Sequence, residues 1–203
     1  MLTLAVADGA AAQGALTPFQ QEVLKAIYAV LPYQRERFAL SGSDATPGIL
    51  YSDPRNVERL ECAANASFKI LSQANEAGTI GVSVCPEHVA RLRTLAVASA
   101  RGFDEMLAAI QKGMPPIPAD KLRAVGWYRD RSTLPGGAEV HYLAVIAVGH
   151  GIAVVPTVVL LTGTQAVVVQ AETMQLCGEG GNPFPLCADP KGTLSAIAQR
   201  LLK

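Results

Sequence analysis

The sequence predicts an α+β fold in which three N-terminal helices precede a four-stranded antiparallel β-meander and a C-terminal helix. Apolar residues recur every three or four positions through the first half of the chain, a spacing typical of one helix face. From Val125 onward they form short runs separated by glycine-rich turns, which is typical of strands. We therefore expect one α+β domain over residues 17–203, preceded at 1–16 by a flexible leader or a signal-peptide remnant.

Each helix is predicted from its capping residues and its apolar stripe. A Thr-Pro or Asp-Pro pair favours a helix start, and a later Pro or Gly favours its end. A stripe that includes Leu60, Ala64 and Phe68 supports the second helix. The three predicted helices run from Thr17 to Pro32, from Asp53 to Gly78 and from Pro86 to Lys112.

Four strands follow, and the second and third are apolar at both odd and even positions. They are predicted at 127–134, 139–148, 152–161 and 166–176, and a last helix follows Asp189. A strand apolar on both sides must be covered on both faces. The early helices can cover one face, so the last helix, another subunit or a ligand is expected on the other. Pro156 lacks an N–H, so the third strand should be an edge strand or be irregular there.

The four cysteines allow three pairings, which spacing alone cannot distinguish. Cys177 and Cys187 enclose a loop rich in Gly and Pro, and Cys62 and Cys85 would then join the second and third helices. Four buried thiols are the alternative. Disulfides together with a signal remnant predict a periplasmic or secreted protein; without them the chain would be cytoplasmic.

Familiar catalytic and cofactor motifs are missing from the sequence. It contains no His-Glu-x-x-His, Walker A or Gly-x-Gly-x-x-Gly pattern, so we expect no metal and no cofactor. The weak catalytic candidates are Cys85 with His88, a thiol and a base at a helix start, and Glu139 with His141, which share one strand face. Isolated structural histidines are the alternative.

A cluster of interface-type residues precedes the first predicted turn of the sheet. Trp127, Tyr128, Arg129 and Arg131 are residue types that often anchor protein interfaces, although the Trp could instead pack in the core with both Arg residues solvated. We take these four as the candidate binding residues.

Charge narrows the function classes. The formal net charge is zero, which argues against nucleic-acid binding. The uncharged stretch Leu143–Leu161 is interrupted by Gly-His-Gly and Pro156, so hairpins are favoured over a stable membrane span.

The leading hypothesis is an exported, non-catalytic binding or inhibitor-type domain that acts on a protein partner or associates with itself. Absent motifs and the doubly apolar strands favour it. One alternative is a hydrolase or lyase with a scattered His/Glu/Cys site; the other is a carrier of a small apolar ligand.

Overall fold

The structure is a computed structural model, and its helices and strands combine into an α+β domain. It describes residues 15–32, 37–40, 50–53, 56–58, 62–72, 75–97, 108, 112, 130–148, 152–173, 177 and 184–202. Four helices are described: α1 (Pro18–Val30), α2 (residues 89–97, after a 3₁₀ turn at Pro86–His88), α3 (Pro185–Ala188) and α4 (Pro190–Leu201).

Seven of the described strands form one antiparallel sheet in the order β1-β4-β5-β9-β8-β7-β6, and β2 and β3 form a separate hairpin. The strands are β1 (Phe38–Leu40), β2 (Leu50–Asp53), β3 (Asn56–Glu58), β4 (Ala64–Ser72), β5 (Asn75–Val84), β6 (Asp130–Thr133), β7 (Glu139–Val148), β8 (Ile152–Leu161) and β9 (Ala166–Glu172). The early strands join the late ones where β5 pairs with β9.

The predicted arrangement of three helices and a four-stranded meander is wrong, because the sheet has seven of the described strands and the second predicted helix is absent. Within its predicted range of 53–78, residues 56–58, 64–72 and 75–78 are strand residues, and β4 pairs with β5 as a hairpin. Ala66, Phe68 and Ile70 are buried and alternate with more exposed neighbours, which is the period of a strand. A spacing of four, as between Ala64 and Phe68, fits both a helix and one strand face. The stripe was therefore ambiguous, and tertiary pairing decided it.

The first and last helices lie where the sequence placed them. Thr17 and Gln20 form a reciprocal capping box at the start of α1: the Gln20 backbone N–H donates to Thr17 Oγ1 and the Thr17 N–H donates to Gln20 Oε1. Asp189 caps α4 by accepting a hydrogen bond from the Gly192 N–H. Strands β7 and β8 span the predicted residues, whereas β9 ends at Glu172 rather than at 176.

Each face of the sheet is covered by helices of the same chain. On the first face, α1 and α4 bury a large core through residues such as Ile27 and Ile197, packed with Phe68, Tyr142 and Val158. The second face carries α2, which buries three side chains over the middle strands. These are Leu92, Leu95 and Ala96, and they pack with Leu143, Val159 and Val168. The predicted two-sided burial is present, but α1 and α4 share one face.

Both predicted cysteine pairs are bonded. Cys62–Cys85 closes the open end of the β4–β5 hairpin, directly beyond the Ala64–Val84 pair, rather than joining two helices. Cys177–Cys187 spans ten residues of sequence before α4. Among the described helices, none has both the length and the apolar character to cross a membrane.

Candidate functional site

Four charged or ionisable side chains meet at one end of the sheet, on its second face. Glu139 and His141 come from β7, Arg131 from β6 and Arg93 from α2. The alternation of β7 places Glu139 and His141 on the same face as Leu143, which packs with α2. The register sets Arg131 opposite His141. We call these four residues the Glu139 cluster.

The turn between β6 and β7 fixes that register. Gly136 and Gly137 both have positive φ, 96° and 84°, a conformation that glycine adopts readily. The Leu134 N–H donates to the Ala138 carbonyl at 2.8 Å and closes the turn. The Leu-Pro-Gly-Gly sequence, predicted to be a turn, thus brings Arg131 beside the start of β7.

Glu139 accepts hydrogen bonds from both guanidiniums. Arg93 Nε lies 3.0 Å from Glu139 Oε1, and Arg131 Nη2 lies 3.0 Å from Oε2. His141 Nε2 is 3.2 Å from the same Oε2. The carboxylate therefore ties a helix to the last two strands of the sheet.

The protonation states follow from burial and from these partners. Burial acts to raise the pKa of the Glu139 carboxyl, but the hydrogen bond from His141 and the two Arg charges outweigh it and hold that pKa below its ordinary value. Burial lowers the pKa of His141, whose side chain is only 5% exposed, although Glu139 opposes that shift. At neutral pH the cluster therefore holds two cations, one carboxylate and a neutral imidazole.

This arrangement orients the two guanidiniums more readily than it transfers protons. A general base must reach its substrate with a pKa near the working pH. His141 is almost fully buried, and Glu139 is paired with cations on both oxygens. Catalysis by these two residues stays a prediction.

The other predicted catalytic pair has a different environment. Cys85 is buried and bonded to Cys62, so it has no thiol to ionise while that bond is closed. His88 lies in the 3₁₀ turn before α2, with its Nε2 3.9 Å from Glu87 Oε1. The predicted helix start is therefore present as the 3₁₀ turn that leads into α2, but Cys85 offers no reactive thiol there while it is bonded.

Of the candidate binding residues, Arg131 lies in the described part of the chain, whereas Trp127, Tyr128 and Arg129 lie outside it. Arg131 belongs to β6, the last strand in the sheet order, and its side chain is 64% exposed. On the opposite face of β6, the Asp130 carboxylate pairs with Lys191 of α4.

Arg93 was missed by sequence reasoning. It follows Leu92 in the apolar stripe of α2, and its partner Glu139 lies 46 residues later, so no local pattern links the two. Among the described residues, no group of three or more His, Cys, Asp or Glu side chains could hold a metal ion.

No protein-family model, curated protein or solved structure matches this chain.

Proposed function

We propose that this chain is an exported, non-catalytic binding domain that docks an extended segment of a protein partner along β6. The observation that carries the proposal is the position of β6. It ends the sheet, and its residues Asp130, Arg131 and Thr133 are exposed.

An edge strand presents backbone N–H and C=O groups to an incoming strand. Among the described strands, β6 pairs only with β7, so its outer edge is open to such a partner. The Leu-Pro-Gly-Gly turn and the Asp130–Lys191 ion pair fasten the strand at both ends. A rigid edge loses less conformational entropy on binding than a mobile one.

Because α2 covers the second face, docking at the edge of β6 is favoured over a second copy or a small apolar ligand packed against that face. Over the middle strands, α2 occupies the position where a second copy or a small apolar ligand would pack. A protein partner at β6 needs no displacement of that helix. The candidate binding residues Trp127, Tyr128 and Arg129 directly precede β6 in sequence.

Export is supported by the two disulfides, since such bonds persist in oxidising compartments. Export is tested by counting the free thiols of protein that is recovered, without reductant, from the cells that naturally make it. We expect no free thiol and recovery from the exported fraction. A reduced protein confined to the cytoplasm would contradict export.

Docking is tested by photo-crosslinking from β6 in the native compartment. With p-benzoylphenylalanine at position 133, we expect a discrete adduct; the matched control is position 199, an exposed site on α4. Mass spectrometry of the adduct then identifies the crosslinked segment, which should bind as a synthetic peptide and shift the amide resonances of residues 130–133. A segment from this chain would identify the partner as a second copy. Equal adducts from both positions would contradict docking at β6.

A further inference from the structure

The Glu139 cluster carries one more positive than negative charge at the edge where β6 is proposed to dock its partner. Arg93 and Arg131 are permanently charged, whereas Glu139 is their only acidic contact among the described residues. His141 adds no charge while it stays neutral in its buried position. The site is therefore complementary to one additional anion.

Arg93 and Arg131 also have guanidinium N–H donors that Glu139 does not use. A guanidinium has five N–H groups, and within the described residues Arg93 and Arg131 each give one of them to Glu139. Their side chains are 40% and 64% exposed. The carboxylate between them holds both guanidiniums in place, so an arriving anion meets donors whose positions are already restricted.

The geometry of strand addition predicts which kind of anion fits this site. A segment that adds to β6 would place one residue directly opposite Arg131, with both side chains on the second face and their Cβ atoms about 5 Å apart. Oppositely charged cross-strand pairs are favourable. An Asp or Glu at that position would reach Arg131, and a Glu has the longer side chain to extend toward Arg93.

We infer that the partner segment docked on β6 presents a carboxylate side chain opposite Arg131, where the Glu139-anchored pair of Arg93 and Arg131 recognises it. This inference rests on the proposed function and specifies the chemistry of the partner. The carboxylate supplies the missing negative charge and accepts hydrogen bonds from guanidinium N–H groups that Glu139 leaves available.

Two capped model peptides test the inference: Thr-Val-Thr-Glu-Thr-Val-Thr and the same peptide with Gln at its centre. Binding is followed by the amide resonances of residues 130–133 in the full chain. We expect the Glu peptide to bind about fivefold more tightly than the Gln peptide at low salt, the range of a partly exposed ion pair. The preference should fade at high salt, because the charges are near the surface.

Single arginine variants show which side chains cause the preference for the Glu peptide. Arg131→Gln and Arg93→Gln should each bring the two peptides toward equal affinity. The matched control is Arg200→Gln, which removes one positive charge from an exposed position on α4, the helix on the first face, and should keep the preference. Loss of preference in all three variants would assign the effect to net charge and overturn the inference.

The two proposals fail in different ways. Equal binding of both peptides to the native chain, with shifts at residues 130–133, would overturn the carboxylate inference and leave docking at β6 supported. Shifts for neither peptide, even at millimolar concentration, would overturn both.

Discussion

His141 Nε2 lies 3.2 Å from Oε2 of Glu139, two residues earlier on the same strand. The contact joins an almost fully buried ring to a carboxylate that also pairs with two cations. A residue pair separated by two positions thus connects the covered part of the second face to the exposed edge of the sheet.

Replacing Glu139 by Gln should destabilise the fold by about 1 kcal/mol, because two partly exposed guanidiniums and one buried imidazole lose a charged acceptor. Urea unfolding measures the change. Glu87→Gln, an exposed position beside His88, is the matched control and should change the free energy of unfolding by less than about 0.5 kcal/mol. Equal effects in the two variants would show that the Glu139 cluster adds no stability.

The low pKa of His141 makes stability depend on pH. The unfolded chain binds a proton near the ordinary value of 6.5, whereas the folded chain resists protonation, so the unfolded state holds more protons in that range. The free energy of unfolding should therefore fall as the pH drops below about 6.5, by at most about 1.4 kcal/mol per pH unit from this group. Denaturant unfolding across this range measures the slope.

The variant His141→Gln should flatten that slope whatever it does to the overall stability. His88→Gln keeps His141 and should keep the slope. An imidazole titration of His141 by NMR, giving a pKa at or above the ordinary value, would contradict the prediction.

Two glycines of β5 provide a matched test of the packing beside β9. A Cβ added at Gly78 would overlap the backbone carbonyl oxygen of Glu172, whereas one added at Gly81 meets no atom within 4 Å. Gly78→Ala should therefore cost about 2 kcal/mol through a forced backbone shift. Gly81→Ala should be neutral or slightly stabilising, because it reduces the entropy of the unfolded chain. Similar thermal midpoints for the two variants would contradict this.

Removal of the Cys62–Cys85 disulfide, which closes the open end of the β4–β5 hairpin, tests how much this bond stabilises the fold. On the chain-entropy model, Cys62→Ala with Cys85→Ala should lower the free energy of unfolding by about 3 kcal/mol. The Cys177–Cys187 bond encloses a shorter loop, so Cys177→Ala with Cys187→Ala should lower the free energy of unfolding slightly less. The reverse order in denaturant unfolding would point to packing around the sulfurs as the larger contribution.

The parts of the fold that could be predicted are those with one unambiguous local signal. A capping box marks α1, and continuous apolar runs bounded by glycine turns mark β7 and β8. Pro156 was expected in an edge strand or at an irregularity, but β8 lies inside the sheet between β9 and β7 and pairs Pro156 with Ala144 in an unbroken register. Its pairs with β9 begin only at Thr157, so the proline, which lacks an N–H, faces no β9 residue. The hairpin β4–β5 was missed because apolar residues four apart satisfy both periods, and β1 is too short, at three residues, to give a pattern.

The site was predictable only within one strand. Alternation alone puts Glu139 and His141 on a common face, and Arg131 was chosen for its residue type. Nothing local could bring in Arg93, since that contact depends on α2 packing across the second face. The edge position of β6 likewise follows from the order of the whole sheet.

The junction between β5 and β9 has a consequence for how the chain is made. Ile80 of β5 pairs with Ala171 of β9, so the edge of the early hairpin is filled only after β9 has been synthesised. Until then, the outer edge of β5 is unpaired by β9 and can pair wrongly with another strand. Helices α1 and α4, which contact each other on the first face, complete the core only after α4 has been synthesised. A ribosome-bound or truncated chain lacking β9 and α4 would thus be the form most exposed to aggregation, and the one in greatest need of a chaperone.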